Sequence, residues 1–107
     1  MTGRFVTSDF VLLEVADGLA AHHASREAVQ IADFVRKKSE IHLVKASPDV
    51  LEKAWDLYNR RADKSWSLTD CTSFVIMEQM KIFKALTPDR HFEQAGFVAL
   101  YRTFPTV

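Results

Sequence analysis

Short β-compatible runs alternate with longer stretches of helical periodicity along these 107 residues, and that alternation narrows the fold more than any other feature. Arg4 to Thr7 reads as a strand. Thr7 or Ser8 can then cap a helix whose apolar positions Val11, Leu12, Val15, Ala16 and Leu19 follow helical spacing, with Gly18 weakening its last turn. Ser25 can cap a second helix through about Lys38, with Ala28, Val29, Ile31, Ala32 and Val35 as its apolar face and Lys37 and Lys38 suiting the C-terminal dipole. Ile41 to Val44 reads as a strand. Ser47-Pro48 is a helix start, and Leu51, Ala54, Trp55 and Tyr58 at three- and four-residue intervals predict its core face. Ser67 to Asp70 has the form of a capping box and opens a helix to about Lys81, anchored by Phe74, Val75, Met77 and Ile82. Lys84 to Thr87 and Phe97 to Tyr101 are further strand candidates around a turn-rich stretch at Pro88, Asp89 and Gly96. Strands separated by helices need crossover connections. The expected class is therefore α/β, with a mainly parallel sheet flanked by helices.

One domain is expected from this length, which lets folding remove roughly two-thirds of the chain's surface from water. Apolar residues make up 48% and charged residues 26%, which excludes a disordered chain. Fourteen basic side chains cancel fourteen acidic ones, so any preference for nucleic acid must be local rather than a field of the whole molecule. Cys71 is the single cysteine and can form no internal disulfide or cysteine zinc site. Met1 to Phe5 lacks the apolar run of a signal peptide, and no uncharged stretch approaches the ~18 residues of a membrane span. A cytoplasmic location away from any membrane is the expectation.

Three carboxylates stand in places that can carry chemistry. Glu14 lies beside or within the apolar face of its helix, where a carboxylate reaches solvent, pairs with a lysine or arginine, or binds a metal. Asp70 sits in the first turn of a helix, where the dipole favours an acid and the capping box alone accounts for one. Asp89 follows a strand candidate by two residues, at the end of the sheet where ligands of α/β folds gather, and it is also a natural turn aspartate. The histidines His22, His23, His42 and His91 show no metal-ligand spacing and read as surface residues. Arg60, Arg61 and Lys64 near Trp66 combine charge and an aromatic face that could serve RNA, although a solvated loop with a packed tryptophan is the commoner fate of such a cluster.

Three blocks, in order, resemble PIN-domain proteins of the VapC type. They are Thr7-Ser8-Asp9-Phe10-Val11-Leu12-Leu13-Glu14-Val15, then Trp66-Ser67-Leu68-Thr69-Asp70-Cys71-Thr72-Ser73-Phe74, then Ala85-Leu86-Thr87-Pro88-Asp89-Arg90-His91-Phe92 with Gly96-Phe97. The resemblance spans nearly the whole chain and implies a single PIN-like domain over residues 1–107. It implies that Glu14, Asp70 and Asp89 bind Mg2+ or Mn2+ and cut RNA, as hard cations prefer carboxylate and water oxygens and take substrate phosphate as a further ligand. It also implies an antitoxin protein as partner, and family members often pair as homodimers. Such members open with a strand ending in an aspartate, before the segment corresponding to Phe5-Val6-Thr7, and that opening is absent here. The expected fold is thus N-terminally incomplete, with one acid unassigned; Asp9, already part of the helix-start block, is not its replacement. Two functions follow: a metal-dependent endoribonuclease toxin, or a catalytically dead PIN-like module that binds an antitoxin-like or PIN partner.

Overall fold

Ser8 ends one element and begins the next. It is the last residue of strand β1 (Phe5–Ser8) and the N-cap of helix α1 (Asp9–Ala20), with extended backbone and an Oγ that accepts the Val11 N–H at 3.2 Å. A buried hydroxyl satisfies one of the helix's orphan donors, so the chain turns from strand to helix without a loop. The computed structural model describes residues 4–100. After α1 come α2 (Ser25–Lys37), β2 (Ile41–Val44), α3 (Pro48–Arg60), α4 (Leu68–Met80), β3 (Lys84–Ala85), α5 (Arg90–Gln94) and β4 (Val98–Ala99). These elements group into two compact units divided in sequence between Ser47 and Pro48.

In the first unit β1 and β2 pair in parallel, Phe5 opposite Ile41 and Ser8 opposite Val44. α1 packs on β1, α2 on β2, and the two helices on each other. The Ala46 N–H donates to Asp9 Oδ2 at 2.9 Å, tying the segment after β2 to the first turn of α1. Ser25 is the first residue of α2 rather than its cap; Ala24 holds the cap position without a side-chain hydrogen bond.

The second unit is built on α4. Phe74, nearly inaccessible, meets Trp66 edge-on at 5.0 Å and Phe92 edge-on at 4.9 Å, and stacks on Phe97 at 5.8 Å. Trp66, Phe74 and Phe97 form the core with Ala54, Cys71 and Met77, and the partly buried Phe92 packs against it. Such ring pairs favour offset and edge-on contacts worth about 0.5–1.5 kcal/mol each beyond their buried area. β3 pairs in parallel with β4, Lys84 opposite Val98 and Ala85 opposite Ala99.

Class and parallel pairing agree with the sequence, while three details differ. The described strands form two two-stranded ladders, β1–β2 and β3–β4, where the sequence led us to expect one sheet. β3 stops at Ala85, because the Thr87 N–H turns back to the Ala85 carbonyl; of the expected Phe97 to Tyr101 strand, Tyr101 lies outside the described residues. On α3 the buried positions are Val50 and Ala54, with Leu57 packed against the core, whereas Leu51, Trp55 and Tyr58 are exposed. The helical period holds, but the buried face is rotated: Trp55, at 53% exposure, packs edge-on against Tyr58 within its own helix rather than in the core.

Candidate active site

Asp70 enters the site through its role in starting α4. Ser67 Oγ accepts the Asp70 N–H at 2.9 Å, and Asp70 Oδ2 accepts the Ser67 N–H at 3.1 Å, a complete capping box. The carboxylate is thereby fixed at the helix end where unpaired N–H groups favour negative charge. Asp89 is fixed by a second local device: Thr87 Oγ1 accepts the Asp89 N–H at 3.1 Å, and Asp89 caps α5 by accepting the His91 N–H at 2.9 Å.

Both local explanations anticipated from sequence, capping for Asp70 and turn bonding for Asp89, are present. The fold adds what neither requires, for it brings the two carboxylates to one imidazole. His91 Nδ1 lies 2.9 Å from Asp70 Oδ2 and 3.4 Å from Asp89 Oδ1, and ligand-type atoms of all three side chains lie within 4.8 Å of one another. The side chains are 15%, 40% and 25% exposed for Asp70, Asp89 and His91, respectively. The packing of Phe74 against Phe92 and a 2.9 Å hydrogen bond from Trp66 Nε1 to Gln94 Oε1 hold α5 against the start of α4. Asp70 lies one turn from Phe74 and His91 directly precedes Phe92, so the aromatic core sets the spacing of the polar site.

Two carboxylates this close repel each other when both are ionised. A cation relieves that repulsion, and two carboxylates beside water and substrate oxygens are the donor set that Mg2+ or Mn2+ takes. The donor set therefore fits a divalent ion. Cys71, buried next in sequence to Asp70, has its thiol pushed above its ordinary range by burial first and by the Asp70 charge second. It is a packed side chain and not a nucleophile.

Of the three acids singled out in the sequence, Asp70 and Asp89 come together in the second unit. Glu14 belongs to the first unit, exposed on α1. His91, expected to be a surface residue, is instead half-buried between the two aspartates. A helix-capping aspartate fixes only the backbone of the residue two places on, so Asp89-Arg90-His91 did not disclose where the ring lies. In the basic cluster Arg60 pairs with Asp56, Arg61 with Asp63, and Lys64 approaches Asp63, all at the surface. Trp66 is buried under the Arg61 guanidinium. A concavity of about 490 Å3, lined by Leu57, Arg61, Trp66 and Phe97 among others, includes none of Asp70, Asp89 and His91.

Comparison with known proteins converges on one family. A family model described as PIN domain matches residues 1–98. The 23S rRNA-specific endonuclease VapC20 of Mycobacterium tuberculosis, in strains CDC 1551 / Oshkosh and H37Rv, is 32% identical over 93 residues, covering 87% of this chain and 70% of the relative. The crystal structure of Mycobacterium tuberculosis VapC20, described as a Sarcin-Ricin loop cleaving toxin, superposes with a TM-score of 0.81 at 31% identity over 92% of this chain and 75% of that one. No helix among the described residues is long and apolar enough to cross a membrane. With the family model covering most of the chain and both a relative and a solved neighbour of the VapC type, the chain belongs to the PIN-domain family, in its VapC-type branch of endoribonuclease toxins.

Proposed function

We propose that this chain binds Mg2+ or Mn2+ at Asp70 and Asp89 and hydrolyses RNA phosphodiester bonds there; Glu14 is proposed as a metal-binding acid on the family resemblance alone. The observation that carries the reading is the convergence of two carboxylates, from the start of α4 and the turn before α5, to within 4.8 Å of each other and of His91. Capping needs neither carboxylate near the other. Glu14 enters through the Thr7 to Val15 block, which matches the family, and its exposure on α1 leaves the carboxylate accessible.

The role of the chain's own groups is to hold oxygens still. Asp70 is fixed by the Ser67 N–H and by His91, and Asp89 by the His91 N–H, so neither carboxylate must be reorganised when a phosphate arrives. A divalent ion, when bound, supplies Lewis acidity and the positive charge against which a phosphodiester can be attacked by water. No side-chain nucleophile is then needed, in keeping with the buried, protonated thiol of Cys71.

The 23S rRNA named for the relative makes its sarcin-ricin stem-loop the first substrate to try. The resemblance also supports an antitoxin protein and a second copy of this chain as partners. A single PIN domain across both units is supported by the family model, which runs through the division at Ser47. Manganese calorimetry tests the site: wild type is expected to bind saturably and the Asp70→Asn/Asp89→Asn double variant to lose that binding. A folded wild type with no affinity would instead favour a PIN-like binding module without catalysis.

A further inference from the structure

We infer that His91 is a positioning residue for the metal-binding carboxylates, itself held by Ser65; the inference rests on the metal reading above. Each aspartate commits one oxygen to the protein. Asp70 Oδ2 accepts from the Ser67 N–H and from His91 Nδ1, and Asp89 Oδ1 accepts the His91 N–H and lies 3.4 Å from the same Nδ1. No hydrogen bond to Asp70 Oδ1 or Asp89 Oδ2 occurs among the described residues, so these are the oxygens left for an ion or its waters.

A carboxylate only accepts, so the short contact to Asp70 puts the proton on Nδ1 and withdraws that nitrogen from ligation. The other ring nitrogen, Nε2, faces Ser65 Oγ at 3.3 Å. The ring is therefore held at both edges, and Phe92, packed on Phe74, anchors the backbone beside it. His91 acts through the carboxylates: by holding Asp70 Oδ2 and lying beside Asp89 Oδ1 it would fix both side chains and leave their other oxygens available to an ion. Hydrogen-bond partners of metal ligands commonly contribute about 10–100-fold to metal affinity.

The test is manganese affinity by calorimetry for wild type, Asp70→Asn, His91→Ala, His91→Asn and Ser65→Ala, with pulsed EPR of the manganese-loaded wild type. His91→Ala is expected to bind about 10–100-fold more weakly. His91→Asn, whose Nδ2 can donate near the place of Nδ1, is expected to return to within about threefold of wild type, and the EPR to show no directly coordinated nitrogen. Ser65→Ala, which leaves the ring in place but unheld, should weaken binding by a smaller factor and decides the matter should His91→Ala fail to fold. Unchanged affinity in His91→Ala, or a ligated nitrogen that both His91 variants abolish, overturns the assignment. Wild-type binding that is lost in Asp70→Asn but kept in His91→Ala defeats this inference alone, whereas a wild type without manganese affinity defeats the metal reading beneath it.

Discussion

Asp70 shows how one side chain can satisfy two demands. Asparagine keeps an acceptor for the Ser67 N–H, so Asp70→Asn should change folding stability by less than about 1 kcal/mol. The same change removes a charge from the site and is expected to lower RNA cleavage by about 100-fold or more, the scale of losing one charge-stabilising group. Denaturant unfolding and single-turnover cleavage on the same preparations separate these effects; equal loss of both would reduce Asp70 to a cap. Cys71 supplies a pH test. Its folded thiol holds its proton more tightly than the unfolded thiol, so its stabilising contribution is fully present below the ordinary thiol range and falls away as pH rises through the folded value. Alkaline loss of stability should therefore be shallower in Cys71→Ala, measured by urea unfolding across that range, and an unchanged slope would contradict it. From sequence, Asp70 and Asp89 were legible because cap and turn chemistry is local. His91 was not, because its role depends on α5 packing against α4.

At the scale of elements, three helix ends close by the same hydrogen bond, from an N–H to the carbonyl five residues back: Ala24 to Leu19, Ile82 to Met77 and Phe97 to Phe92. Each places the preceding residue at positive φ: His23 at 57°, Lys81 at 59° and Gly96 at 98°. Only the third was marked in the sequence by glycine. Lys81→Gly is expected to stabilise the protein by about 0.5–1 kcal/mol and Gly96→Ala to destabilise it by about 1 kcal/mol, read as shifts in the urea midpoint. The opposite signs are the check, since both substitutions alter the unfolded chain as well. Helix starts at Ser8, Pro48 and Ser67 were legible because capping residues act within four positions. The face of α3 was not, because Leu51, Trp55 and Tyr58 form as regular an apolar stripe as Val50, Ala54 and Leu57, and only the rest of the fold selects between them.

For the whole molecule, stability and site geometry share one aromatic cluster. Phe74→Ala should cost about 3–5 kcal/mol, as expected for emptying a ring's place in a packed core. Phe92→Ala should weaken manganese binding as well as stability, because α5 would lose the contact that carries His91 and Asp89 to Asp70. The α/β class and parallel pairing were legible from alternating strand and helix signals. The division between Ser47 and Pro48 and the two separate ladders were not, since pairing partners are chosen across long stretches of chain. The central claim is that the aspartate pair performs metal-dependent RNA cleavage. Its most direct test is single-turnover cleavage of a labelled sarcin-ricin stem-loop RNA by the wild type and the Asp70→Asn/Asp89→Asn variant, with manganese and with chelator. Cleavage by the wild type only with manganese, absent from the folded variant, is the result expected; cleavage that persists in the variant or in chelator would contradict the account.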